Sequence, residues 1–392
     1  MSEEKVSRPL DRMLLFLILS LAGLGLVMML SASTFWAEYW HLGDGFHFFR
    51  SQAVNMLIGL AAMLLLSRIP YQFWLKWVYP ILLGAMLLLA LVHVPGIGLA
   101  KGEARRWILI AGFSFQPSEA AKLAIVIYMA YSLSRKGEKT GSFIYGFLPH
   151  LIVLGLLAGL ILTGRDLGTA ACVVVIAFIM MFVAGTRIWH MLLLGLAAAP
   201  LLYWQIVSVD YRMNRIAAFL NPWLDPEKTG YQIIHSFYAF ASGGIWGQGP
   251  GAGLQKLLFL PEPHTDFIFS VVAEELGLVG VIVIGLVFLT LIGRGLSISR
   301  SAPDFFGVYL ALGCTLIVGL PAFFNMCVVT GLIPNKGLPL PFFSYGGSNL
   351  LICFMAMGLL LNVAAQSPDA KKAPAPKRRL ALRAPRLARV GA

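Results

Sequence analysis

Charge is scarce in these 392 residues: Asp, Glu, Lys and Arg make up 12% of the chain, about half the share of an ordinary soluble domain. Cysteine is scarcer still, and Cys172, Cys314, Cys327 and Cys353 lie in apolar runs with no CxxC spacing and no paired histidine. That excludes a disulfide scaffold and a cysteine-held metal, and leaves the four as small core residues. What is abundant is apolar surface. Hydrophobic residues reach 58%, too many for a disordered chain or a soluble enzyme. A bilayer core takes roughly 20 apolar residues per helix, so the chain reads as an all-α polytopic membrane protein.

Apolar runs bounded by charge, Pro or Gly predict ten spans, near 13–33, 51–67, 74–94, 118–134, 146–163, 168–185, 188–206, 267–292, 305–330 and 345–365. The first run ends in Ser31-Ala32-Ser33, which suits a signal-peptide cleavage site, but it is longer than a signal core and is read as an uncleaved span. The chain therefore divides into a cytoplasmic N-terminus (1–12), a membrane domain (13–366) and a tail (367–392). Between spans seven and eight, the membrane domain includes one large extracytoplasmic loop, 207–266. That loop is rich in aromatics, among them Trp223, Tyr231, Phe237, Tyr238 and Trp246, and is expected to fold as an outer cap with short helices at the membrane surface.

Lys and Arg outnumber Asp and Glu 30 to 18, a surplus of 12. Seven of that surplus belong to the tail, where Lys371, Lys372, Lys377, Arg378, Arg379, Arg383, Arg386 and Arg389 face a single Asp369. A Pro- and Ala-rich segment of this kind cannot bury a core and is expected to be disordered, drawn to anionic cytoplasmic lipid. With no folded basic module beside it, nucleic acid is not an expected partner. Placing both termini inside leaves 19 Lys and Arg on the inner side and 11 outside, or 11 against 7 without the tail and the long outer loop. The positive-inside rule then gives N- and C-termini in the cytoplasm.

Three charged groups fall at outer helix ends, where a charge needs a partner or water. In ARRWILIAGFSFQPSEAAK (104–122), Pro117 suits a first helical turn, and Glu119 and Lys122 share a face. They either form a structural pair, or Lys122 joins Arg105 and Arg106 in offering cations to an anionic headgroup. In GRDLGT (164–169), Asp166 either holds a tight turn or serves the site. In FLPEPHTDFIFSVVAEELG (259–277), Asp266 is equally suited to capping a helix and to catalysis, and at least one of Glu274 and Glu275 should point into the bundle. Two glycine-rich stretches complete the set. GGIWGQGPGAG (243–253) lacks the strand a nucleotide cradle needs and serves tight turns. In KGLPLPFFSYGGSN (336–349), Ser344 either binds ligand or closes the bundle.

QPSEAAK, GRDLGT, NPWLDPEKTGYQ, Gln255-Lys256-Leu257 after the glycines, PEPHTDFIFSVVAEELG and GLIPNKGLPLPFFSYGGS occur in the order seen in the SEDS family, the shape, elongation, division and sporulation proteins of bacteria. The resemblance covers about residues 10–366. Lys336 and the PEPHTDF form look closer to the division branch than to the elongation branch. Gly164-Arg165 stands where the family usually has Gln-Pro, and Gly253 and Asn349 each replace a common Ser.

The resemblance implies a peptidoglycan glycosyltransferase that polymerises lipid II at the outer face of the inner membrane, at the division septum. Its implied partners are a class B penicillin-binding protein, other division proteins and membrane lipid. Asp266 matches the family's essential aspartate and is the expected base. Lys256, Arg106, Lys122 and Arg215 are the expected cations for the leaving pyrophosphate. Glu119 is expected to position Lys122; Gln255, His264 and Ser344 are further substrate-binding candidates, and Asp166 and Glu275 supporting ones. No cofactor is required by the sequence and no metal cluster is predicted, although a divalent cation such as Mg or Mn could accompany the pyrophosphate. The rival readings are a lipid II transporter and a non-catalytic scaffold for the cross-linking enzyme.

Overall fold

A computed structural model describes residues 10–40, 43–101, 104–110, 113–208, 210–257, 259–335 and 337–367. The basic tail beyond Ser367 and Lys336 lie outside the described residues, so the expectations resting on them are not addressed by the fold. Ten helices stand where the ten spans were expected: α1 (Arg12–Trp40), α2 (His47–Arg68), α3 (Val78–Leu91), α4 (Pro117–Lys136), α5 (Leu148–Thr163), α6 (Leu167–Val183), α7 (Ile188–Val207), α10 (Ile268–Arg300), α11 (Phe305–Val329) and α12 (Gly347–Gln366). Six are long and apolar enough to cross a membrane on length and composition; α3 and α6 are shorter, and α4 carries internal charge. Between α7 and α10 lie α8 (Asp210–Leu220) and α9 (Tyr231–Gly243), the short helices expected of the cap.

Burial ranks the helices. The apolar window of α12 is 89% buried and that of α11 72%, whereas that of α2 is 22% buried. The first two form the middle of the bundle, with α12 packed along α2 and α11 against α10 and α4. Among the described residues of α7 none is buried, which places it at the edge. α1 sends Leu14, Ile18, Leu21 and Met29 into the common core.

Two features depart from the expectation. The connection between α3 and α4 is a three-stranded antiparallel sheet, β1 (Gly98–Lys101), β2 (Ala104–Ile110) and β3 (Phe113–Phe115), with Ile108 paired to Phe115. This small sheet is set in an otherwise helical fold; Arg105 and Arg106 sit on a strand. In addition, α10 is broken at Gly277, whose φ of 65° and ψ of −167° interrupt the helix. The glycine-rich stretch fills the break. Gln248 and Gly249 donate N–H groups to the carbonyls of Glu274 and Glu275, and Leu278 and Val279 donate to those of Gly244 and Ile245. The groups orphaned by the break are thus paired, as apolar surroundings demand.

Candidate active site

Asp266 stands at the entry to α10. The helix is capped at Phe267 with no side-chain cap bond, so the carboxylate of Asp266 is not spent on capping. It accepts instead from the hydroxyl of Thr265 at 2.9 Å, and its backbone carbonyl accepts from Asn325 Nδ2 at 2.7 Å. Burial raises the pKa of this carboxyl above its ordinary value, against the pull of the Thr265 hydroxyl and of the positive charge on Arg215.

Arg215 comes from α8 and is fixed by Nη1 donating to the carbonyl of Asn335 at 2.9 Å. Asn335 is itself held by Gln232, whose Oε1 accepts at 3.0 Å, and its Oδ1 accepts the N–H of Gly337. Gly337 lies against Asp266: a β-carbon there would be 3.4 Å from Asp266 Oδ2. Beside this wall opens a cavity of about 530 Å³, lined by Asn214, Arg215, Lys228, Thr229, Gln232 and Asn335 among others. Two cations and several amides without a carboxylate make it suited to anionic and hydroxyl-rich ligands.

The other cations are engaged elsewhere. Lys256 is buried, and its ammonium donates to Glu275 Oε1 at 2.6 Å, to the Gly251 carbonyl at 2.7 Å and to Ser31 Oγ at 2.8 Å. All three of its hydrogens are used. Glu274 points inward too, accepting from the N–H groups of Leu254 and Gln255. Both adjacent carboxylates therefore face the bundle, where at least one was expected to. Lys122 and Glu119 form a pair at 2.7 Å, 1% and 2% exposed, with Asn349 Nδ2 donating to the same carboxylate. The pair is closed on itself and on Asn349 in this structure.

Arg106 and Asp166 meet in a second cluster. Asp166 caps α6 through Thr169 N–H at 3.2 Å and accepts from Ser118 at 2.8 Å and from Gln116 at 3.0 Å; Arg106 Nη1 is 3.9 Å away. Arg106 also donates to the carbonyl of Arg165. The remaining candidates have contacts within the fold. Gln255 Oε1 pairs with His235 Nδ1 at 2.7 Å, tying the glycine-rich stretch to α9. His264 is buried among the rings of Trp36, Phe48 and Tyr345, and Ser344 Oγ accepts the N–H of Leu340. Gln116, Ser118 and Asn325 escaped the sequence reading, which met Ser31 only in a cleavage-like motif and Asn349 only as a replacement for Ser. The available signal was a polar group inside or at the mouth of an apolar run.

Ten helices around buried ion pairs, with a half-buried carboxylate at the mouth of α10 near Arg215 of α8, define a polytopic membrane protein with a polar site at one end of its bundle. The chain belongs to the FtsW/RodA/SpoVE family of cell cycle proteins, whose family model matches residues 12–369. It is 50% identical over 357 residues to a probable peptidoglycan glycosyltransferase FtsW of Geobacter metallireducens, covering 91% of this chain and 95% of that one. It is 42% identical to the stage V sporulation protein E of Bacillus subtilis, covering 91% and 97%. Among solved structures, a chain from a peptidoglycan synthase complex that coordinates polymerization and crosslinking matches with a TM-score of 0.73 at 28% identity, covering 93% and 99%. The rod shape determining protein RodA of Thermus thermophilus matches with 0.68 at 28%, covering 92% and 98%.

Proposed function

We propose that the protein is a peptidoglycan glycosyltransferase of cell division, which polymerises lipid II at the outer face of the inner membrane with both its termini in the cytoplasm. The observation that carries this reading is the placement of Asp266: an uncapped carboxylate at a helix mouth, next to Arg215 and a cation- and amide-lined cavity. Joining the 4-hydroxyl of an acceptor GlcNAc to C1 of a donor MurNAc, with inversion from α to β, needs a base on the face opposite the leaving pyrophosphate. Asp266 takes the acceptor proton as the C1–O bond forms and the C1–pyrophosphate bond breaks. Such base catalysis contributes about 10²–10⁴-fold.

The leaving pyrophosphate needs positive charge in a water-poor site. Lys256 and Lys122 spend their ammonium groups on Glu275 and Glu119, so the role passes to Arg215, with Arg106 as the second candidate. Among the described residues no group of three or more His, Cys, Asp or Glu converges as a metal site, and no step here is routed through a metal. A class B penicillin-binding protein is the partner that would cross-link the strands, in keeping with the synthase complex among the structural relatives. At the division septum the two would work as one machine.

The test is polymerisation of purified lipid II by the full chain with its transpeptidase, read as glycan strands on a gel. The wild-type chain is expected to make strands and Asp266→Ala none. Wild-type strand synthesis by Asp266→Ala would overturn the reading. Movement of lipid II across vesicles without strand synthesis would favour transport instead.

A further inference from the structure

Asn325 is the single carboxamide within α11, set in the run FFNMCVV. It is 1% exposed. Its Nδ2 carries two hydrogens and both are committed, one to the carbonyl of Asp266 at 2.7 Å and one to the carbonyl of Leu338 at 2.8 Å. No described residue donates to its buried Oδ1. Turning the amide over would aim that oxygen at two carbonyl oxygens, so the chemistry fixes its orientation.

The two carbonyls belong to opposite walls of one site. Asp266 opens α10, whereas Leu338 follows Gly337, where a β-carbon would stand in contact with Asp266 Oδ2 at 3.4 Å. One amide therefore sets the separation between the carboxylate and the 331–346 connection. Asn362, at the other end of the bundle, is a useful contrast. Its Oδ1 accepts from Tyr71 N–H and its Nδ2 donates to the Ser67 carbonyl, so both its polar atoms are satisfied in a helix-to-helix staple. Among the described residues nothing donates to the acceptor of Asn325, while both its donors go to the walls around the carboxylate, an expensive arrangement to keep in a core.

We infer that Asn325 is the positioning residue for Asp266, holding the carboxylate at a fixed depth between α10 and the connection from α11 to α12. The inference rests on Asp266 being the base. Asn325 itself touches no reacting atom. A displacement of about 1 Å at the reacting centre costs on the order of 10²-fold in rate, so loosening this amide should act on turnover more than on substrate affinity.

The experiment uses the full chain with its transpeptidase, lipid II as substrate, and rates normalised to the folded, monodisperse fraction. Asn325→Ala is expected to lower kcat about 10- to 100-fold while KM changes by no more than about twofold. The acid limb of its pH–rate profile should move toward lower pH, because water enters around the carboxyl. Among the described residues, Arg215 of α8 is the charged group whose field reaches that carboxyl, and Arg215→Gln controls for it by moving the limb the opposite way. Where Asn325→Ala fails to fold, Gly337→Ala strains the other wall through the positive φ of 60° at that position and should give the same split between kcat and KM. Wild-type normalised rates in both variants, or a loss lying wholly in KM, would overturn the inference while an inactive Asp266→Ala left the base assignment standing. Full activity in Asp266→Ala would remove both.

Discussion

Lys256 Nζ lies 2.6 Å from Glu275 Oε1, and the two close the glycine-rich stretch onto the break in α10. Ser31, on α1 and more than 200 residues away in sequence, donates to the same carboxylate at 2.6 Å and accepts from the lysine. Gly251 contributes its carbonyl to the lysine and its N–H to Glu275 Oε2. The pair, sited where water is excluded, is satisfied on every side.

Removing one member of such a pair strands a buried charge, which costs about 3–5 kcal/mol, whereas removing both costs far less. Lys256→Met and Glu275→Gln should each lower the thermal unfolding midpoint in detergent, and the double variant should recover most of the loss. A double variant no more stable than the worse single would show that the charges do not depend on each other.

Gly277 is expected to be intolerant for a different reason. Its positive φ is one that L side chains rarely adopt, and a β-carbon there would lie 2.3 Å from Gly247 N and 2.5 Å from the carbonyl of Ile245. Both obstacles are backbone and cannot swing aside. Gly277→Ala should abolish monodisperse protein on size exclusion, while Gly285→Ala in the same helix, with nothing within 4 Å of its new methyl, should behave as wild type.

The difference between Gly277 and Gly285 also marks how far the sequence could be read. Ten apolar runs were visible because lipid imposes length and composition on each span, and the long connection that carries α8 and α9 stood out because it was too polar to be a span. The break at Gly277 was not, since LGLVG reads as continuous apolar helix and only the loop from 243–253 explains it. The sheet at β1–β3 was hidden by strands of 4, 7 and 3 residues, too short for alternation to stand out. Asp266 could be picked out, because an acidic residue at a span boundary and a family resemblance agreed. Lys256 was legible as a cation but not as an engaged one: its partners Ser31 and Glu275 meet it only in the folded bundle. Asn325 offered one signal, a carboxamide inside an apolar run, and that is a general cue for membrane helices.

Asp266→Asn should separate activity from stability. Burial raises the pKa of this carboxyl, so the folded chain favours its protonated form, and the contribution to stability is lost as pH rises through the folded-state value. At neutral pH the neutral amide should raise the unfolding midpoint slightly while reducing strand synthesis about 10²–10⁴-fold. For the wild type the base must be ionised, so turnover should fall with decreasing pH at values above the usual carboxylate range. A limb at or below that range would contradict the burial argument.

Asp166 allows a graded test, because its two oxygens meet different donors. Oδ1 accepts the Thr169 N–H that caps α6, and Oδ2 accepts both the Ser118 hydroxyl and Gln116 Nε2. Asn caps a helix about as well as Asp, so Asp166→Asn can keep the first contact. Its Nδ2 must then face the second pair, where the hydroxyl can rotate to accept but the Gln116 amide nitrogen cannot. Asp166→Ala loses everything: the cap, worth about 0.5–2 kcal/mol, the two side-chain partners, and the carboxylate 3.9 Å from Arg106. Unfolding midpoints should therefore rank wild type above Asp166→Asn above Asp166→Ala. Strand synthesis should follow the same rank if Arg106 needs this carboxylate to stay in place. Asn and Ala variants of equal stability would mean that the cap contributes nothing, and that the cluster is held by the charge on Asp166 alone.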